Sequence, residues 1–277
     1  MAEKIKVSDF TDPETKIYNM RSETMLYRMN EPAPGIFISE TELVIRRALA
    51  AGYEPISLLV LENELENLSG LIEECEKIFI TADRYDEEAS FPVYYAAYET
   101  IKDLIGFPLT RGVLCAMKRK KLPDVNSIIA NARNIAVFCD IENPTNTGTI
   151  FRNAAALGID AVILHRNCSD PLYRRSLRAG MGCQFAIPWT SCDDLNVLKE
   201  NGFHFAAFAL RDDALTLEEF AAENIEKKAL LLGNEGFGLS DDTLALCDSV
   251  IKIPMREGVD SLNVAVASGI AFYELTK

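Results

Sequence analysis

Three segments in the C-terminal half of the chain place amide, hydroxyl, carboxylate and guanidinium groups beside glycine-rich backbone. The first, Asn143-Pro144-Thr145-Asn146-Thr147-Gly148-Thr149-Ile150-Phe151-Arg152, is a turn rich in Asn and Thr that runs into a helix, with Arg152 six residues after Asn146. The second, Gly233-Asn234-Glu235-Gly236-Phe237-Gly238, has three glycines in six residues, which lets backbone approach a ligand closely. The third, from Ile253 through Ser261, Leu262 and Asn263, is a proline-interrupted loop that delivers two polar side chains to the start of the last helix. Taken singly, each is accounted for by helix capping or a tight turn, and Arg152 by a surface cation. The glycine order is G-x-x-G-x-G, so neither a nicotinamide fingerprint nor a nucleoside-triphosphate loop is present. Only His165 and His204 could serve a serine hydrolase, and no G-x-S-x-G turn accompanies them.

These segments need elements to position them, and each starts at the end of an expected strand. Ile135–Cys139, Ala161–Leu164, Phe205–Leu210 and Ala229–Leu232 are short apolar runs separated by helical stretches. That pattern implies a parallel sheet covered on both faces, with ligands at the carboxyl ends of its strands. Ahead of it, the reading is a helix over Glu42–Ala51 ending at Gly52, a strand over Ser57–Leu61 and an acidic helix over Leu65–Glu76. A strand over Lys77–Ile80, a helix over Tyr94–Ile105 ending at Gly106, and a strand over Gly112–Met117 follow. The sum is a smaller α/β sandwich. Lys118-Arg119-Lys120-Lys121, then Leu122-Pro123-Asp124, is the best boundary, giving domains at residues 1–117 and 135–277 joined by 118–134. Four adjacent cations are read equally well as a solvated linker or as a phosphate contact.

Composition bounds the rest. The chain has 277 residues, 48% of them hydrophobic and 25% charged, enough for packed cores. Its net charge of −14 argues against a loose polyanion binder, because such affinity comes from Lys and Arg neutralising phosphates. Neither half is basic, with 16 basic against 22 acidic residues up to Asn134 and 12 against 20 after it. A polyanion would therefore be met by local clusters, Lys118–Lys121 and Arg174, Arg175 and Arg178, the latter on an expected helix. Seven cysteines, with no C-x-x-C pair, read as reduced thiols and exclude zinc-finger spacing, so no metal is expected. Without an apolar leader or membrane-length run, the expectation is a cytoplasmic protein with no membrane partner.

Together, in this order and spacing, the three segments resemble the SpoU/TrmH branch of the SPOUT RNA methyltransferases, over residues 135–277. Arg178-Ala179-Gly180-Met181-Gly182 fits too, although that family more often has Ser where Gly180 stands. The first domain is similar, more loosely, to the ribosomal-protein-like substrate-binding domain often fused ahead of this catalytic domain. Phe107-Pro108-Leu109-Thr110-Arg111-Gly112-Val113-Leu114 is its most telling stretch.

The resemblance implies a fold, a reaction and residue roles. The fold is an α/β trefoil-knot domain with a mostly parallel sheet, in a homodimer. The reaction is methyl transfer from S-adenosylmethionine to a ribose 2′-hydroxyl of ribosomal or transfer RNA, with no DNA partner. Leu210, Gly233, Ile253 and Leu262 match the cofactor walls, and Asn146, Arg152, Glu235, Ser261 and Asn263 the catalytic set. In those roles Asn146 and Asn263 fix positions, Ser261 bonds near the substrate, and Glu235 holds Arg152 or the loop. Arg152 binds the adjacent phosphate and stabilises the developing alkoxide, which suits a guanidinium better than acting as a base. A non-catalytic RNA-binding or ribosome-assembly factor that kept the fold is the competing reading, and the intact Asn146, Arg152 and Asn263 argue against it.

Overall fold

A computed structural model describes residues 2–8, 13–19, 22–82, 90–105, 109, 112–211, 213–259 and 261–276. Gly106, Phe107, Pro108, Thr110, Arg111 and Asp260, which belong to stretches singled out above, lie outside the described residues. By its internal contacts the chain forms two compact units: residues 1–121 with 172–178, and residues 122–171 with 179–277.

The first unit runs β1 (Glu3–Lys6), α1 (Pro13–Lys16), α2 (Glu23–Arg28), β2 (Ile36–Glu40), α3 (Glu42–Ala50), β3 (Pro55–Leu61), α4 (Ser69–Ala82), β4 (Pro92–Ala96), α5 (Tyr98–Ile105) and β5 (Val113–Lys118). Its sheet has the order β1-β4-β3-β5-β2. β1, β4 and β3 are parallel, whereas β5 runs antiparallel to both β3 and β2. The Thr41 hydroxyl caps α3 by accepting the Val44 amide at 3.3 Å, and Val44, Ile45, Ala48 and Leu49 are buried. The helix gives way at Gly52, whose φ of 78° suits a residue without Cβ.

Two expectations fail here. Lys77–Ile80 is not a strand but the end of α4. Buried Ile72 and Cys75 lie on one helical face with Phe79, whose ring meets that of Phe91 at 5.4 Å. Ile80 is left exposed. The strand is instead β4, covering Tyr94 and Tyr95, which had been read as helical. Its proline stands at the first strand position, where a missing N–H is tolerated, and β-branched and aromatic residues follow.

The second unit continues with α6 (Val125–Ile129), β6 (Asn134–Cys139), α7 (Pro144–Ala156) and β7 (Ala161–His165). α8 (Arg174–Gly180) follows in sequence, with its residues up to Arg178 counted in the first unit. The second unit resumes with β8 (Trp189–Ser191), α9 (Asn196–Glu200), β9 (His204–Phe208) and β10 (Leu215–Thr216). The chain ends with α10 (Leu217–Ala222), β11 (Lys228–Leu232), α11 (Asp241–Ala245), β12 (Ser249–Lys252) and α12 (Val264–Leu275). Its sheet has the order β10-β12-β9-β11-β6-β7-β8, and every neighbouring pair is parallel. The four apolar runs are therefore strands, as their continuous hydrophobicity predicts. Ile135, Val137, Ala161, Ile163, Phe205, Ala207, Ala229 and Leu231 form one core. Phe138, Phe151 and Trp189 stack edge to face, with centroids 5.4 and 6.1 Å apart, and fasten α7 to the sheet. Among the described residues no helix is long and apolar enough to cross a membrane.

Candidate active site

The carboxyl ends of β6 and β11 are neighbours in the sheet, so the loops leaving them meet. After β6 the backbone turns through Asp140 at φ 57°, and Asn143 caps α7 by accepting the Thr145 amide at 2.9 Å. After β11 the loop closes on itself: the Asn234 amide donates to the Gly238 carbonyl at 2.9 Å, and the Gly238 amide returns a bond at 3.0 Å. The Asn234 side-chain oxygen accepts the Gly236 amide at 2.8 Å, while its NH2 donates to the Asp140 carbonyl at 2.8 Å. A Cβ on Gly233 would lie 2.5 Å from the Gly238 carbonyl carbon, so only glycine fits there.

This closed loop aims the Glu235 carboxylate at the start of α7. One carboxylate oxygen accepts the Asn146 side-chain NH2 at 3.0 Å and the Asn143 amide at 3.2 Å. The Asn146 oxygen accepts the side-chain NH2 of Asn263 at 3.1 Å, and Asn263 caps α12 by accepting the amides of Ala265 and Val266 at 2.9 and 3.3 Å. Glu235, Asn146 and Asn263 thus form one hydrogen-bonded chain that ties together three loops distant in sequence. The cap of α12 is thus Asn263 and not Ser261, two residues earlier. Ser261 and Leu262 are exposed in the loop before it.

Arg152 does not join this chain. It is exposed on α7 and has no hydrogen-bond or ion-pair partner among the described residues, so Glu235 holds the loop and not the guanidinium. The strand-end set is arranged differently again. β12, β9 and β11 are consecutive in the sheet, and Ile253, Leu210 and Gly233 follow their carboxyl ends within two residues. Leu210 is exposed, Ile253 half-buried and Gly233 buried.

Three contributors escape sequence reasoning. Asn153 donates to the Ala265 carbonyl at 2.7 Å and the Ser268 hydroxyl at 3.0 Å, locking α7 to α12. Its place seven residues after Asn146, on the same helical face, is the signal that could have revealed it. Arg166, at φ 60° beyond β7, donates to the Ser240 hydroxyl at 2.9 Å. Gly180 has no room for a side chain, since a Cβ would meet Gln184 at 2.6 Å and the Gly148 carbonyl at 2.8 Å. The Ser more common at that position would clash here.

The expected RNA-contact cations all fall in the first unit. Lys118 pairs with Glu54 at 3.0 Å. Arg119 donates to the Ile36 carbonyl at 3.1 Å, and its guanidinium lies 4.8 Å from the Tyr27 ring centroid. Lys120 donates to the Ala51 carbonyl at 2.6 Å and sits 4.7 Å over Tyr53. Lys121 is exposed. Arg174 is half-buried; burial lowers its pKa, against the opposing pull of Glu23 and Glu40. Arg175 and Arg178 are exposed.

Comparison with known proteins bears on this arrangement. The sequence pattern of the SpoU rRNA Methylase family matches residues 133–273. A curated relative, an uncharacterised tRNA/rRNA methyltransferase of Mycobacterium bovis, is 36% identical over 99% of this chain and 93% of its own. The 23S rRNA (guanosine(2553)-2′-O)-methyltransferase RlmP of Bacillus subtilis is 32% identical over 61% of this chain and 65% of its own. Among solved structures, an AdoMet-bound rRNA methyltransferase from Sinorhizobium meliloti superposes with a TM-score of 0.76 at 20% identity, over 98% of this chain and 97% of that one.

Proposed function

Because the chain belongs to the SpoU family of RNA methyltransferases, we propose that it transfers a methyl group from S-adenosylmethionine to a ribose 2′-hydroxyl of ribosomal or transfer RNA. The observation that carries this reading is the Glu235–Asn146–Asn263 chain, with Arg152 exposed on the same helix as Asn146. A cofactor with a flat heterocycle needs apolar walls and close backbone; in this reading Leu210, Ile253 and Gly233, which follow three neighbouring strand ends, and Leu262 from the last loop would supply them. The solved AdoMet complex of similar fold supports the choice of cofactor.

Bound there, the cofactor supplies a sulfonium methyl, already a strong electrophile. The protein's share is to hold the hydroxyl oxygen in line and ease loss of its proton. Asn146 and Asn263 present amides whose orientation the Glu235 carboxylate fixes. Arg152, a permanent cation, would grip the neighbouring phosphate and stabilise the oxyanion as the proton passes to solvent, the methyl transfer leaving S-adenosylhomocysteine as the neutral thioether. Ser261 offers a hydroxyl in the loop before Asn263.

The same reading includes a homodimer working in the cytoplasm, with the C-terminal segment knotted as the family implies. Val266, Ile270 and Tyr273 lie at i, i+4 and i+7 on α12, each more than 40% exposed, a stripe that suits a second copy. Ile270→Glu is expected to yield a monomer in analytical ultracentrifugation. The first unit serves as the RNA-binding domain, and the domain limits given above are part of the same proposal.

The test is methyl transfer from labelled S-adenosylmethionine into ribosomal and transfer RNA, with titration calorimetry for the cofactor. Folded protein that releases no heat with S-adenosylmethionine would instead fit a non-catalytic RNA-binding factor.

A further inference from the structure

We propose that α2 of the first unit is a stacking platform for an unpaired nucleotide of the RNA, with Tyr27 as the ring that receives the base. The proposal rests on RNA being the substrate and adds which part of it the first unit grips. α2 is six residues long and buries Leu26, yet leaves Met25, Tyr27 and Met29 exposed by 58%, 47% and 41%. Met25 and Met29 share one side of the helix and Tyr27 stands on the other, where its exposed ring marks a surface that meets something.

Both cationic clusters attach to this helix. At its start, the Glu23 carboxylate accepts the Arg174 amide at 2.8 Å, and the Thr24 hydroxyl lies 3.4 Å from that of Tyr173. Exposed Arg175 and Arg178 follow in the same segment. Four residues after Glu23, about 6 Å along the helix axis, Tyr27 carries the Arg119 guanidinium on one side. Arg119 is itself fixed by the Ile36 carbonyl and lies 5.9 Å from the Phe37 ring. Lys120 and Lys121 continue the run. An exposed ring carrying one cation, on a helix bonded to a second cationic segment, in a chain of net charge −14, is complementary to a polyanion that carries flat aromatic groups. Bases inside a duplex are already stacked on each other, so the base that Tyr27 receives is unpaired.

The experiment uses the full chain, a labelled twelve-nucleotide oligoadenylate, a twelve-base-pair RNA duplex and vesicles containing phosphatidylserine. Tyr27→Ala is expected to weaken oligoadenylate binding about tenfold, the usual scale for one stacked base. Tyr27→Phe should stay within about twofold of the parent, and duplex binding should change little in either variant, because only the ring is needed. Three results overturn the proposal: Tyr27→Ala binding oligoadenylate like the parent, both RNAs weakening equally, or a loss confined to the vesicles. Calorimetry with S-adenosylmethionine on the same samples separates this proposal from the methyl-transfer reading. A Tyr27-dependent loss in a protein that does not bind the cofactor would retire that reading and leave the platform standing.

Discussion

The polar side chains of the two units are anchored to different things. In the second unit the side-chain amides of Asn146 and Asn263 and the Glu235 carboxylate are bonded to one another, so that they fix three segments in one geometry. In the first unit the cations rest on rings and backbone carbonyls, Arg119 on Tyr27 and Ile36, Lys120 on Tyr53 and Ala51. The first pattern suits a reaction that needs fixed positions, and the second suits RNA, whose contacts vary from one substrate to the next. Arg152 breaks the pattern of its own unit by standing apart from the network. The contrast implies that substitutions in the second unit cost activity or stability steeply, while those among the first unit's cations cost stability little.

The largest effect is expected at Arg152. Arg152→Ala should lower methyl transfer by about 10²- to 10³-fold, the usual scale for one charge-stabilising donor. Its S-adenosylmethionine affinity in calorimetry should match the parent's; a variant that keeps near-normal turnover would sink the assignment. Asn146→Ala leaves Glu235 with only the Asn143 amide and the Asn263 side-chain NH2 without its acceptor, and should lower turnover and cost about 1–3 kcal/mol of stability in denaturant unfolding. Gly180→Ala forces a Cβ against Gln184 and the Gly148 carbonyl and should cost about 1–3 kcal/mol. Thermal unfolding measures it, and Gly180→Ser should be no better tolerated.

A smaller effect comes from pH. Burial pushes the thiols of Cys168 and Cys247 up to about 11 from an ordinary 9.0. A raised acid pKa means that folding favours the protonated form. The stabilisation is therefore complete below about pH 9 and is lost as pH climbs through 11. Denaturant midpoints across that range should fall, and Cys168→Ala should flatten part of the fall. The smallest effect is expected at Lys118→Ala, which removes an exposed pair with Glu54 and should change stability by less than about 1 kcal/mol. A larger loss would show that the first unit's cations are as tightly built in as the second unit's amides.

Much of the second unit was legible in the sequence because buried parallel strands write themselves as continuous apolar runs. The loops carrying Asn146, Glu235 and Asn263 could be found for the same reason, since each follows a strand. Their hydrogen-bonded chain could not, because its partners lie 89 and 117 residues apart. In the first unit, Lys77–Ile80 misled because four residues cannot separate strand from helix, and only the packing of Phe79 on Phe91 decides. The cation run at Lys118–Lys121 was visible, but not the rings it rests on, which come from α2 and from the segment after α3 and are fixed only by folding.

Ribose methylation is tested most directly by alkaline hydrolysis. RNA methylated in vitro by the protein with S-adenosylmethionine is hydrolysed and its products are analysed by mass spectrometry. A 2′-O-methyl group removes the hydroxyl that cleaves the adjacent phosphodiester, so an alkali-resistant dinucleotide carrying the transferred methyl is predicted, and it should vanish with Arg152→Ala. Complete hydrolysis to mononucleotides, with the methyl on a base, would contradict the account.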